Sequence, residues 1–461
     1  MKTAMTNLGI QFLTQLFASL KCYLLLCVCL ALTGCSHILP AQPNSTQTVA
    51  QTAPTSETST PIHSEPTHPL TNTESPAPLP ELAKIQPTKK IAVLLPTSGK
   101  LSSTARLILD GFLAARSDAQ QQGEEAIPEI QTYDTENMSV VELYNKAVAQ
   151  GAELIIGPLE KEQVTQLYAL HHFPIPILAL NYVNETTASS TPSTQPMIAH
   201  RTKDTDGFYQ FGLAAEDEAA QIADQALLDG HQSAALIYPD TEWGKRIIQS
   251  FVKRWRSQGG QLATTLAFSD NPEKLAPAIK KMLSLKQTPQ IIQGVKPLPQ
   301  HRTDIDFIFL LATPNQARQI KPILNFYYAA NIPVYATSHI YVGNKNPLQD
   351  RDLDGILFVD QPWILTDDDP LKIQAQALWP NQSGQSARLR AFGIDAYRLQ
   401  NQLKLLLKTP HMSLAGATGQ LTLDRHSLKI HRRLSWAHIK NGLAESMTDD
   451  TVNSGFLNSN P

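Results

Sequence analysis

Ile91-Ala-Val-Leu-Leu95, closed by Pro96-Thr97-Ser98-Gly99, is followed by apolar residues at Leu101, Ala105, Ile108, Leu109, Phe112 and Leu113. The five-residue run does not alternate, which is the pattern of a strand buried on both faces, and the stripe after it has the period of an amphipathic helix. A buried strand feeding a helix at once is the repeating unit of a parallel sheet.

The unit recurs. Ile127 to Tyr133 precedes a helix over Val140 to Ala149, Leu154 to Ile156 precedes a helix through Val164 and Leu167, and Ile175 to Leu180 closes the series. A second series begins near Gly212. It reads as a helix from Ala215 to Leu228, a strand from Ala234 to Tyr238, and a helix with Trp243, Ile247, Phe251 and Trp255 at four-residue spacing, capped by Asp240 or Thr241. The tryptophan stripe is read as core rather than as a binding face. There follow a strand near Gln261 to Phe268, a helix near Lys274 to Leu285, a polar insert holding Pro297 and Pro299, a strand at Phe307 to Leu311, a helix from Pro314 to Ala330 and a strand from Ile332 to Ala336. Ile356 to Val359 is a further strand, Leu389 to Leu407 a helix, and two short strands lie near Gln420 to Leu423 and Arg432 to Trp436. Continuous apolar strands separated by helices predict an α/β fold of two doubly wound, Rossmann-like lobes joined by several chain crossings. Some 350 residues also suit two lobes better than one core.

The ends of the chain read differently. Tyr23 to Leu32 is almost unbroken in apolar residues, with Lys2 and Lys21 the only charges before it. A positive flank, about ten apolar residues and a small-residue exit describe a secretory signal, and the run is short of the ~20 residues of a membrane span. Leu32-Thr33-Gly34-Cys35 resembles the lipobox of bacterial lipoproteins, so residues 1–34 are expected to be a signal peptide and Cys35 the lipidated first residue. All four cysteines lie within the first 35 residues, so cleavage would leave only Cys35 and no disulfide framework. Ser36, by analogy with lipoprotein sorting, favours the periplasmic face of the outer membrane. Residues 35–88 are rich in Pro, Thr and Ser without period and read as a disordered tether, whose reach at ~3.1 Å per residue is on the order of 150 Å at full stretch. Residues 443–461 read as a polar tail.

The net charge is −3, and removing the signal takes two lysines and no acids, leaving −5. No nucleic-acid surface is implied. Enzyme motifs fail one by one. Ser98-Gly99-Lys100 lacks the leading glycine of a phosphate loop, since that position is Leu94, and Leu101 replaces the hydroxyl residue. Ser250-Phe-Val-Lys253 matches S-x-x-K but lies mid-helix without partner motifs. His171 and His172 are adjacent and cannot share a helix face toward a metal. The reading is therefore a protein that is not an enzyme and has neither cofactor nor metal.

The blocks IAVLLPTSGKL, GAELIIGPLEK, FGLAAEDEA, PVYATSHIY, DLDGILFVDQPW, FGIDAYRL and GATGQL resemble, in order across residues 89–442, the type I periplasmic binding-protein fold. More narrowly they resemble the C-terminal domain of the LpoA family, outer-membrane lipoproteins that activate class A penicillin-binding proteins. The resemblance implies lobe 1 at about 89–212 and 363–412 and lobe 2 at about 213–360 and 413–442. It also implies a regulator of peptidoglycan synthesis with a class A synthase as partner. Longer members carry a helical-repeat domain ahead of this one, and this chain is expected to be a short form in which the tether stands in that place. The alternative is a solute-binding lipoprotein or sensor for a small periplasmic ligand of unknown identity. Gly157-Pro158 runs into Leu159-Glu160-Lys161, bulky and mixed in charge, where amino-acid-binding relatives offer small donors, so a filled or salt-bridged cleft is expected. Ser98, Lys100, Glu160, Lys161, Asn181, Tyr182, Tyr238 and Trp363 are the candidate cleft residues.

Overall fold

The computed structural model describes residues 87–183, 207–269, 271–284, 301–380 and 382–447. Cys35, the tether up to residue 86, the insert with Pro297 and Pro299, and the tail from residue 448 lie outside the described residues.

The first series folds as β1 (Lys90–Leu95), α1 (Ser102–Gln121), β2 (Glu129–Asp134), α2 (Val140–Ala149), β3 (Leu154–Ile156), α3 (Lys161–Tyr168), β4 (Ile177–Ala179) and β5 (Phe208–Phe211). These strands run parallel in the order β5-β4-β3-β1-β2. The second series gives α4 (Ala215–Leu228), β6 (Ser233–Pro239), α5 (Glu242–Ser257), β7 (Gln261–Phe268), α6 (Pro272–Met282), β8 (Phe307–Leu310), α7 (Pro314–Phe326), β9 (Val334–Ala336) and β10 (Ile356–Asp360). Its parallel order, β10-β9-β8-β6-β7, repeats that of the first. In both sheets the order reverses beside the first strand of the series, which opens a crevice at the carboxyl ends there. The α/β reading of two doubly wound lobes holds.

The chain then returns to the first lobe through α8 (Pro370–Leu378), α9 (Gly384–Leu399) and α10 (Leu403–Lys408), followed by β11 (Ser413–Gly416), β12 (Gly419–Leu423) and β13 (Lys429–Arg433). It finishes in the second sheet with β14 (Ser435–Lys440) and β15 (Leu443–Ser446). Two boundaries are corrected here. Residues 413–433 belong to the first lobe, because β13 pairs in parallel with β5 through Lys429–Gln210 and Ile430–Phe211, and Ile430 and Leu421 join the first core. The polar tail does not begin at 443, because residues 443–446 form an antiparallel hairpin with β14. The expected single helix from 389 to 407 begins at Gly384 and is interrupted between Leu399 and Leu403.

Helix α9 is fastened to α1 by close backbone approach. A Cβ at Gly111 would lie 2.0 Å from the Arg390 carbonyl oxygen, and one at Gly393 would lie 1.9 Å from that of Ile108. Only glycine permits such a crossing, which sets the α9 axis and with it every side chain α9 sends toward the second lobe. In the second lobe Ile247, Phe251 and Trp255 of α5 are buried against Phe307 and Phe309, as the core reading of the stripe expects. Thr241 caps that helix, its hydroxyl accepting from Gly244 N at 3.0 Å.

Candidate functional site: the strand ends between the lobes

Because β4, β3 and β1 are neighbours, their carboxyl ends gather Asn181 with Tyr182, Glu160 with Lys161, and Ser98 with Lys100 along one edge. Ser98 Oγ donates to Asp134 Oδ2 at 2.5 Å and accepts from Asn137 Nδ2 at 3.0 Å. The Ser98 hydroxyl, helped by the Glu136, Ser98 and Thr97 amides, holds the Asp134 carboxyl below its ordinary range. Ser98 therefore closes its own loop. Asn181 bridges the Leu159 carbonyl at 2.9 Å and the Tyr182 amide at 3.0 Å, which fixes the turn after β3 to the turn after β4. Lys100 and Lys161 stand exposed, and Glu160 is half-buried.

Tyr182 reaches across to the second lobe. Its hydroxyl donates to Asp217 Oδ2 of α4 at 2.9 Å and lies 3.2 Å from the Ile430 carbonyl oxygen. Burial, then the Asp217 charge, push this phenol far above its ordinary range, so it remains a donor. Tyr238, next to last in β6, packs half-buried against the second core. Trp363 is not a cleft residue: it is 2% exposed within the first core, with its amide on the Ala417 carbonyl at 3.1 Å. The chain re-enters the first lobe at residue 362, and the apolar indole goes inward with it.

The strongest contact between the lobes uses residues that sequence reasoning did not single out. Arg388 of α9 donates through Nε to Asp360 Oδ1 at 2.8 Å, through Nη2 to Asp360 Oδ2, and through Nη2 to the Tyr341 carbonyl at 3.1 Å. Asp360 is fully buried at the end of β10. Burial works against the guanidinium charge, but Asp360, with Glu218 beyond it, more than offsets this and holds the Arg388 pKa above its ordinary value. Tyr341 is pushed up to about 12 by burial and by Asp350 and Asp360. Glu218, also buried, accepts from Ser338 N at 2.9 Å and Ser338 Oγ at 3.1 Å, and His339 lies edge-on to Trp243 beside it. Backbone meets backbone here too, since a Cβ on Gly384 would sit 2.0 Å from the Val342 carbonyl oxygen. The signal in the sequence is the acid that continues a buried strand in Ile356-Leu-Phe-Val-Asp360. An aspartate there must find a cation.

On the opposite side, where β13 passes into β14, Gln221 of α4 bonds both backbone groups of Leu434, at 2.8 and 2.9 Å. Arg432, 4% exposed, donates to the Gly212 carbonyl at 3.0 Å. The two lobes are thus tied by the chain's own groups at the crossings and by an ion pair in front of them.

Ser250 donates to the Glu216 carbonyl at 3.1 Å, and Lys253 is exposed. Among the described residues no three His, Cys, Asp or Glu side chains converge on a metal position, and no helix is long and apolar enough to cross a membrane.

Residues 44–442 match the LppC lipoprotein family. The chain is 30% identical over 359 residues to a Photobacterium profundum protein named penicillin-binding protein activator LpoA, covering 75% of this chain and 55% of that protein. The chain spans about half the length of the curated relatives it matches. The C-domain of LpoA (YraM) from Haemophilus influenzae, described as a regulator of PBP1A, superposes with a TM-score of 0.60 at 23% identity, over 78% of this chain and all of that one. That likeness speaks for the fold. A Chromobacterium violaceum protein named for branched-chain amino acid ABC transport superposes with a TM-score of 0.56 at 27% identity, covering 76% of this chain and 99% of its own.

Proposed function

Because this chain belongs to the LppC lipoprotein family, we propose that it is a lipid-anchored, non-enzymatic regulator that binds and activates a class A penicillin-binding protein. In this reading Cys35 carries the lipid at the periplasmic face of the outer membrane, and residues 36–88 are the tether by which the two-lobed domain reaches the synthase in the cell wall. The observation that carries it is the Arg388–Asp360 pair. A solute receptor must part its lobes to admit a ligand, and here that movement would strip the cation from a fully buried carboxylate. A body held in one arrangement is instead suited to present a fixed surface to a protein partner. Binding activates only to the extent that it prefers the partner's active state, and about 1–3 kcal/mol of preference corresponds to roughly 5- to 150-fold.

The test uses the full, lipidated chain in detergent with a class A penicillin-binding protein of the same organism, reading complex formation and the rate of peptide crosslinking. Binding with at least a severalfold rise in rate is expected. No complex and an unchanged rate, together with a thermal upshift by a small periplasmic metabolite, would return the protein to the solute-binding class. The anchor is tested separately: Cys35→Ser should move the protein from the membrane fraction to the soluble periplasm.

A further inference from the structure

Where β13 passes into β14, a groove of about 660 Å³ runs along α4. One wall is a single face of α4, with Asp217, Gln221, Asp224 and Leu228 at helical spacing, and the other is made by β12, β13 and the start of β14. From Asp217 to Leu228 the wall is about 16 Å long at ~1.5 Å per residue, the length of about five residues of extended chain. Leu228, at its end, is 72% exposed, an apolar side chain left to solvent.

The acids of the groove are already engaged. Asp217 accepts from the Tyr182 hydroxyl, and Asp224 is paired with Arg254 through both oxygens and accepts from Gln258 Nε2 at 2.7 Å. Two donors are left over. Arg433 lines the groove from the exposed face of β13, and its guanidinium has no partner among the described residues. Trp436 also lines it, is 4% exposed, and has its Nε1 buried without an acceptor. The indole stands perpendicular to the Tyr335 ring at 5.9 Å and is packed into the second core, which fixes its N–H in place. Leu434, between the two donors in the chain, is held by Gln221, so Arg433 and Trp436 have set positions on the groove. A buried N–H without an acceptor is costly to leave, and the unused guanidinium adds a positive charge that the engaged acids do not cancel.

We propose that this groove receives an extended, acidic segment of a partner protein. Its carboxylate is taken by Arg433, one of its oxygens accepts from Trp436 Nε1, and an apolar side chain of the segment lies on Leu228. A free carboxylate would fill only a fraction of the groove, whereas about five extended residues match its length. The two donors supply charge complementarity to an acid, and the exposed leucine supplies apolar area beside it. The chemistry of the segment is read from the groove alone, so the inference is independent of the proposed function.

The experiment titrates the full chain with an acetylated, amidated pentapeptide holding one glutamate and one leucine, and with the same peptide carrying glutamine in place of the glutamate. It reads the five indole N–H resonances of nitrogen-15-labelled protein, that of Trp436 being assigned by its absence from Trp436→Phe. The glutamate peptide should shift the Trp436 resonance saturably, and the glutamine peptide should bind about tenfold more weakly or less. Arg433→Gln should weaken the glutamate peptide about tenfold to hundredfold, the loss of a charged hydrogen bond. It should not lower the melting temperature, because the side chain has no partner within the fold. Arg433→Glu should reverse the preference, toward the peptide with lysine in place of the glutamate. No shift with the glutamate peptide, equal binding of the glutamine peptide, or unchanged binding by Arg433→Gln would overturn the inference. So would sodium acetate that gave the same shift with the same affinity, since the groove would then take a free anion and not a peptide segment.

Discussion

Arg388 and Asp395 lie two turns apart on the same helix, both inside the protein, and they are compensated in opposite ways. Arg388 meets an opposite charge that belongs to the other lobe. Asp395 meets two backbone amides and a hydroxyl from the Gly416-Ala-Thr-Gly419 turn of its own lobe. A charge matched by a charge is as secure as the geometry between two bodies, whereas a charge solvated by backbone amides is as secure as one hairpin. The first therefore couples the lobes, and the second fixes the edge of one sheet.

The largest effect is expected at Arg388. Arg388→Met leaves Asp360 buried and uncompensated, which costs about 3–5 kcal/mol in urea unfolding. The double variant Arg388→Met with Asp360→Asn should recover most of the loss, because the stranded charge has gone. Small-angle scattering should show the single variant expanded relative to the double. A loss below about 1 kcal/mol would mean that the pair is incidental and that packing alone sets the lobes.

Next is Asp395. Asp395→Ala leaves the amides of Ala417 and Thr418, both buried, without acceptors and should cost about 2–4 kcal/mol. Its pH dependence follows from its surroundings. Burial raises the folded pKa of Asp395, opposed by the bonds from Thr418 and Ala417 and by the Arg398 charge. The folded state thus holds this proton more tightly than the unfolded chain does. The contribution of Asp395 is complete below the unfolded value of about 3.9 and is lost as pH rises through the raised folded value. The stability of the wild type minus that of Asp395→Asn should accordingly fall as pH rises above the unfolded value of about 3.9. A difference that rises with pH instead would show that the hairpin amides outweigh burial.

These two sites also mark what a sequence can disclose. The buried strands were legible because Ile91 to Leu95 or Phe307 to Leu310 carry no polar residue to confuse the period. Strand β5 was not legible, because Phe208-Tyr-Gln-Phe211 holds a glutamine inside. Gln210 is buried all the same, its side chain accepting from Val183 N at 2.8 Å and donating to the Ser427 carbonyl. Without β5 as a partner, β13 could not be placed, and residues 413–433 were assigned to the lobe that follows them in the chain. At the candidate site, Ser98, Glu160 and Asn181 were legible as strand-end residues. The ion pair was not, because Arg388 and Asp360 are joined only once α9 has been docked by Gly111 and Gly393.

Tyr182 supplies the smallest test and the sharpest control. Like Arg388 it spans the lobes, but it does so with a neutral donor, on Asp217 Oδ2 at 2.9 Å. Tyr182→Phe keeps the ring, including its place beneath Lys429 at 5.6 Å, and removes only the hydroxyl. A single bond to a charged acceptor contributes about 1.5–3 kcal/mol at most, and Asp217 can turn toward solvent once released, so a loss of about 1 kcal/mol is expected. No change in the scattering profile should accompany it, because the crossings that carry Gln221 and Arg432 remain intact. If Tyr182→Phe instead matched Arg388→Met in cost and in expansion, the lobes would be held by many equal contacts. The distinction between a charge that couples two bodies and one that secures a single hairpin would then fail.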